Sequence, residues 1–337
     1  MSDATTFEPG SIGWLKARVQ EISGLQAERF SAPGGVGRAS VRVHLSDGTT
    51  AIATRRDTPA RTETEAGLLQ VLSAEGASVP NVLGYRDGLL LQEDLGRNRL
   101  SYAVAGASDA DRPALLRAAL TALQGCRAAI ARRPEVAARL PGLGTRSGWA
   151  EDFVSRPFFL SGDLSIAMPA VDADALAQSL AADPVTFTRW DARLANATLR
   201  ADGTVAWFDW AVAGLRGGVE DLGAALADDY CDLAPATTLG LLGEVLPDDA
   251  ARGLALRTGV LVAANRLARI QRRIERDGWI DAEEALRLDR MTAVPAVVAA
   301  LTARMSALAT EDALTAGLAP WFAAVGDALL ARADHAA

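Results

Sequence analysis

The chain has 337 residues, half of them hydrophobic, and a formal net charge of −8. That length supplies a substantial core and predicts two domains or two lobes of one domain. The negative charge argues against a dedicated nucleic-acid binder, since no overall positive field draws phosphates in, and it fits a neutral or cationic small substrate a little better. Cys126 and Cys231 lack CxxC spacing, and His44 and His335 are too scattered for a cluster, which argues against a disulfide framework or a zinc site. Met1–Gly10 is polar and acidic, unlike a secretory leader. No apolar run approaches the roughly 20 residues of a membrane span. The expectation is a soluble, cytoplasmic protein.

In chain order, residues 26–94 read as strand-rich. Ser40–Leu45 alternates, Ser46-Asp47-Gly48 is a hairpin turn and Thr50–Arg55 is the returning strand. Pro59 marks a break, and Glu63–Ala74 has helical spacing through Leu68, Leu69 and Leu72. Val79–Tyr85, the turn Arg86-Asp87-Gly88 and the apolar Leu89–Leu91 lead to Gln92-Glu93-Asp94-Leu95. Beyond residue 100 the chain is mainly helical, with Asp111–Arg133 and Asp172–Ala182 as candidates. A strand-rich island, Val185–Phe187, Ala197–Leu199 and Val205–Phe208, interrupts the helices, with a turn at Ala201-Asp202-Gly203. The fold class is α+β. Residues 1–95 form a β-rich N-terminal lobe with a helix near 63–74, residues 96–337 form a helical C-terminal lobe, and a ligand cleft is expected between them.

The chemistry is concentrated in residues 185–223. Asp191 and Asn196 share a loop, and a hairpin over Ala197–Phe208 is expected to return Asp209 to their side. Three oxygen-bearing side chains at one point suit phosphoryl transfer. One carboxylate orients and deprotonates a hydroxyl, and hard oxygen ligands hold Mg²⁺ against phosphates. Taken singly, each of the three also reads as a turn or cap residue.

This stretch resembles the aminoglycoside phosphotransferase and choline kinase family, with its protein-kinase-like fold. The family pattern is H-G-D-x-x-x-x-N, a hairpin, a strand ending in D-W or D-F, and a later D-L. Here Arg189–Asn196 reads R-W-D-x-x-x-x-N, Phe208–Trp210 is F-D-W and Glu220–Leu222 is E-D-L. The resemblance covers residues 28–225. It implies a two-lobe fold, an ATP or GTP donor, Mg²⁺ and a small-molecule hydroxyl acceptor: a sugar, an amino alcohol or an aminoglycoside-like compound. It casts Asp191 as the catalytic base, Asn196 and Asp209 as metal ligands and Asp221 as a structural tie. Gly34, Gly35 and Gly37, within Pro33–Ser40, resemble the phosphate loop, although the stretch reads equally as a Gly-rich turn. Glu65 resembles the helix glutamate that pairs with a strand lysine, and equally reads as a dipole-favoured glutamate in a first helical turn. Gln92, Glu93 and Asp94 resemble the hinge whose backbone meets the adenine edge.

Two departures qualify the match. Lys16 is the only lysine, so the phosphate-anchoring lysine is missing, and Arg55 aligns with it as Glu65's partner. Arg189-Trp190 replaces His-Gly, with Arg189 a possible substitute donor to the loop. These departures support a rival reading, a catalytically weak nucleotide sensor or scaffold. Arg193 is expected on the loop backbone or a phosphate. Asp228, Asp229 and Asp232 read as a solvated helix face, or as acidic groups that meet an amine.

Overall fold

A computed structural model describes residues 8–32, 38–181, 185–287 and 293–334. Two compact units emerge. One runs to Arg97 and adds Ala206–Ala211, and the other holds Asn98–Val205 and the chain from Val212 onward.

The first unit comprises α1 (Ile12–Ser23), β1 (Ala27–Ser31), β2 (Ser40–Leu45), β3 (Thr50–Thr54), α2 (Pro59–Ala74), β4 (Val82–Arg86) and β5 (Leu89–Glu93). Its antiparallel sheet has the order β1-β2-β3-β5-β4. Strand parity sorts the two faces. Ala51, Ala53, Leu89 and Leu91 pack in one cluster with Trp14 and Val19 of α1. Helix α2 packs on β4 and β5 and buries Glu65, Leu68, Leu69 and Leu72. Pro59 starts this helix rather than breaking the chain before it. Thr58 caps it, accepting from the Arg61 N–H, and Pro at the first helical position forfeits only an N–H with no intrahelical partner. Glu65 therefore sits in the second turn, beyond the reach of the first-turn dipole explanation.

Asp94, just past β5, is buried against Arg42 of β2. The Nη2 of Arg42 donates to its Oδ1 at 2.9 Å, Nε donates to Oδ2, and the Gly96 N–H donates to Oδ1 at 3.0 Å. Burial raises the carboxyl's pKa, but Arg42, Thr50 and the Gly96 N–H outweigh it, and the net direction is down. Stability from this pair is present above the unfolded carboxyl value, about 3.9, and lost as pH falls through the lower folded value. Removing one member leaves a buried cation alone. Asp94→Asn is expected to lose about 3 kcal/mol at neutral pH in urea unfolding and to flatten the decline in stability below about pH 4. An unchanged acid limb removes Asp94 from that role.

The second unit contains α3 (Leu100–Gly106), α4 (Arg112–Ala131), α5 (Pro134–Ala137), α6 (Trp149–Leu164), α7 (Ala173–Ser179), β6 (Thr186–Arg189) and β7 (Ala197–Leu199). The chain crosses back to the first unit within β8 (Val205–Trp207) and returns at β9 (Ala213–Arg216). Then follow α8 (Glu220–Leu226), α9 (Pro235–Val245), α10 (Asp249–Asp277), α11 (Ala282–Arg287), α12 (Pro295–Ala309) and α13 (Ala319–Asp334). Residues of α6, α7, α10, α12 and α13 make one core, including Leu160, Leu176, Leu267, Leu301 and Phe322. Helices α8 and α10 cross backbone to backbone: a Cβ on Gly223 would collide with the Ala255 carbonyl, and one on Gly259 would lie 2.7 Å from the Gly223 carbonyl oxygen. Pro157 inside α6 has no N–H for the Phe153 carbonyl, and Asn265 of α10 supplies one from Nδ2 at 3.3 Å. Among the described residues, no helix is long and apolar enough to cross a membrane.

Candidate active site

Asp191, Asn196 and the loop they share lie in the second unit. β6 pairs with β9, Arg189 against Ala213, and ends where the loop begins. The Asn196 Nδ2 donates to Asp191 Oδ2 at 2.8 Å and to the Asp191 carbonyl at 3.3 Å. The amide oxygen of Asn196 is left as a hard donor, and Asp191 Oδ1 has no hydrogen-bond partner among the described residues. Fully buried Arg189 donates its guanidinium to the Asp191 carbonyl, the donor role that the missing histidine left open. Its backbone N–H donates to Asp221 Oδ2 at 3.1 Å, and Arg127 of α4 donates to Asp221 Oδ1 at 2.6 Å. Asp221 thus fastens the loop's start to α4. Burial pushes its carboxyl up, while Arg127 and the Arg189 N–H pull it down; the net direction is up.

The rest of the loop is held by groups from far along the chain. Asp228 Oδ2 accepts the Leu194 N–H at 3.3 Å and lies 3.9 Å from Arg193 Nε and 3.6 Å from Arg266 Nη1. Arg266 also donates to Asp229. Asp228 and Asp229 are 2% and 5% exposed, so neither forms a solvated face nor offers a free carboxylate to an amine. Only Asp232 stays at the surface, 3.6 Å from Arg112. Trp190, where the resembled pattern has glycine, packs against Trp149 and Phe153 at ring-centroid distances of 5.4 and 5.7 Å.

Asp209 belongs to the first unit. It carries φ +64°, a left-handed conformation that few non-glycine residues adopt and that Asp and Asn tolerate best. Such outliers concentrate at functional sites. Arg56 joins it to Glu65. The Arg56 guanidinium donates to both Glu65 oxygens at 2.6 and 2.7 Å, and its Nη2 also donates to Asp209 Oδ1 at 2.6 Å. The Trp210 backbone N–H completes Glu65 at 2.9 Å. Burial disfavours the Arg56 cation, but Glu65 and Asp209 outweigh it and raise its pKa.

This network corrects one expectation. Glu65 pairs with Arg56 and not with Arg55. Residue 55 follows the parity of Ala51 and Ala53, and its guanidinium lies 5.8 Å over Trp14 of α1. Residue 56 follows Thr54 onto the face that α2 covers. Gln92, Glu93 and Asp94, the expected hinge, come at the end of β5. Gln92 and Glu93 lie in β5 between β3 and β4, and the Glu93 N–H already donates to Asn81 O at 2.8 Å. Its carboxylate holds Asn81 as well, and the Asp94 carboxylate is committed to Arg42. Gly34, Gly35 and Gly37 lie outside the described residues.

No protein-family model matches the chain, and no curated protein matches its sequence. Solved structures do match in fold. A spectinomycin phosphotransferase with ADP and spectinomycin has a TM-score of 0.56 at 9% identity, covering 84% of this chain and 94% of its own. The gentamicin complex of APH(2")-IIa gives 0.54 at 11%, covering 88% and 97%. An aminoglycoside phosphotransferase from Alicyclobacillus acidocaldarius gives 0.52 at 11%, covering 91% and 98%. The chain has the protein-kinase-like fold. At these identities the likeness is one of architecture: a small β-sheet unit at the N-terminal end and a large helical unit after it. Arg56 as the partner of Glu65 and the pair Arg266–Asp228 are contacts that the sequence analysis did not place, whereas Arg189 makes the donor contact to the loop expected of it. The parity of β3 carried the signal for Arg56. Nothing local marks Arg266, which lies in α10, well beyond the bend after α8 that holds Asp228.

Proposed function

We propose that the chain is a phosphotransferase that moves the γ-phosphoryl group of ATP or GTP to a hydroxyl of a small molecule, with Mg²⁺ as cofactor. The observation that carries this reading is the network of Arg56, Glu65 and Asp209. It supplies a fixed cation beside a partly exposed carboxylate, with Arg56 and not Arg55 in the place of the missing lysine. A planar guanidinium binds carboxylate or phosphate through paired donors.

In this reading Asp191 accepts the proton of the attacking hydroxyl. Asn196 and Arg189 fix its orientation, so its open Oδ1 faces no rotamer search. The Asn196 amide oxygen and the Asp209 carboxylate would each offer the metal a hard oxygen. Among the described residues no three His, Cys, Asp or Glu side chains gather into a metal cage. A cation that is held by one or two protein oxygens and by substrate phosphates is typical of magnesium. Bound magnesium supplies neutralisation of charge across the transferring phosphates. Arg56 positions the phosphates.

ATP or GTP at about a hundredfold excess over Kd is expected to raise the melting temperature by several degrees with Mg²⁺ present. Asp209→Asn, chosen over Ala because Asn tolerates the left-handed backbone, should abolish the magnesium dependence of that rise. If neither nucleotide shifts the melting temperature of the unaltered protein, the proposal fails.

A further inference from the structure

We propose that the acceptor carries an anionic group, a carboxylate or a phosphate, beside the hydroxyl that is phosphorylated, and that Arg269 of α10 binds it; this rests on the phosphotransferase reading above. The charges around the Asp191 loop decide the sign. Asp228 and Asp229 are buried and held by Arg193, Arg266 and the Leu194 N–H. Neither of these two carboxylates is left for an amine. Arg269 lies one turn beyond Arg266 on α10. It is exposed and has no hydrogen bond or ion pair among the described residues. It lies within electrostatic reach of Asp191, Arg193, Arg266 and Arg272. Partial enclosure lowers its pKa, Arg266, Arg193 and Arg272 lower it further, and Asp191 opposes them. Its surroundings would be eased by an added anion.

Two contacts place this arginine beside the loop. Asp228 bridges Arg266 to Arg193 and Leu194. Asn265, one turn before Arg269, bonds the carbonyl of Phe153, whose ring packs on Trp190 next to Asp191. The stretch 265–269 therefore borders both the loop that carries Asp191 and the aromatic group. That aromatic group does not favour a cationic acceptor. Arg216, itself buried and 3.0 Å from Glu220, stacks over Trp149 at 4.2 Å and reaches Trp190 at 5.8 Å. A cation of the protein already occupies ring faces that a substrate ammonium would seek. The rings remain as an apolar wall beside a free guanidinium, which suits paired recognition of carboxylate or phosphate.

The test uses four probe alcohols, D-glycerate, glycerol 3-phosphate, glycerol and choline, on the full chain. Binding is measured by calorimetry, and ADP release is followed with Mg²⁺ and ATP. The two anionic probes are expected to bind, and Arg269→Ala to weaken them roughly tenfold or more, with Arg269→Lys recovering part of the loss. Preference for glycerate or for glycerol 3-phosphate distinguishes carboxylate from phosphate. Equal or better binding of glycerol or choline overturns the inference, as does a loss in Arg269→Ala that appears in the Kd for ATP instead. Because probe binding is read without turnover, a protein that binds the anionic alcohols through Arg269 but releases no ADP refutes the phosphotransferase reading alone.

Discussion

Asp191→Asn is expected to lower phosphoryl transfer by about 10²- to 10⁴-fold, the usual contribution of a positioned base, with nucleotide affinity unchanged. The substitution is close to isosteric, and an amide oxygen at that place still accepts the Asn196 Nδ2 that now bonds Asp191 at 2.8 Å. The Arg189 guanidinium bonds the backbone carbonyl and not the carboxylate, so the loop's main clamp survives. What disappears is the proton acceptor alone. Steady-state ADP release and an equilibrium nucleotide titration, run on the same preparations, separate the two effects. Turnover equal to that of the unaltered protein would favour the rival reading, a nucleotide sensor with weak or no transfer activity.

Arg56→Ala is expected to lose about 3–5 kcal/mol of stability and the magnesium-dependent nucleotide response together. The Glu65 side chain is 1% exposed and takes two of its three hydrogen bonds from Arg56. Without the guanidinium it is a buried carboxylate supported by the Trp210 N–H alone. A lost salt bridge at the surface would cost under about 1 kcal/mol, so the size of the effect reports the burial. Arg56→Lys keeps a point charge and forfeits the fork that spans Glu65 and Asp209, so an intermediate loss is expected. Denaturant unfolding of Arg56→Ala, Glu65→Ala and the double variant closes the cycle. Additive losses would mean that the two side chains do not act as a unit.

The loop and its spacing were legible because they are local. Asp191 and Asn196 are separated by one short turn, and Asp111 and Asp172 announce helix starts that the structure keeps next to those residues. Strand alternation in β3 was legible too, but which face α2 covers was not, and the choice between Arg55 and Arg56 depended on that. Ala51 and Ala53 held the clue, since side chains that small accept a helix such as α1 close above them. The acidic pair Asp228–Asp229 was misread for a different reason. Its cation arrives from α10, and no periodicity around residue 228 marks a partner that folding brings from a distant helix. Helix α1 was missed altogether, although Ser11 caps its start and Gly24, at φ +74°, ends it.

The return of Ala206–Ala211 to the first unit orders events during synthesis. Trp207 and Trp210 are fully buried, the Trp207 N–H bonds Ser78 O, and the Trp210 N–H bonds Glu65. The β-rich unit therefore has no contiguous gene segment. A ribosome that has released residues up to Arg97 has delivered a sheet with its Glu65–Arg56 pair unfinished. Completion waits until the whole of Asn98–Val205 has been translated and the next six residues have followed it. The segment that carries Asp209 is made late, and exchanging β-rich units between relatives by a cut near residue 97 would separate the Glu65–Arg56 pair from its own Asp209 and Trp210.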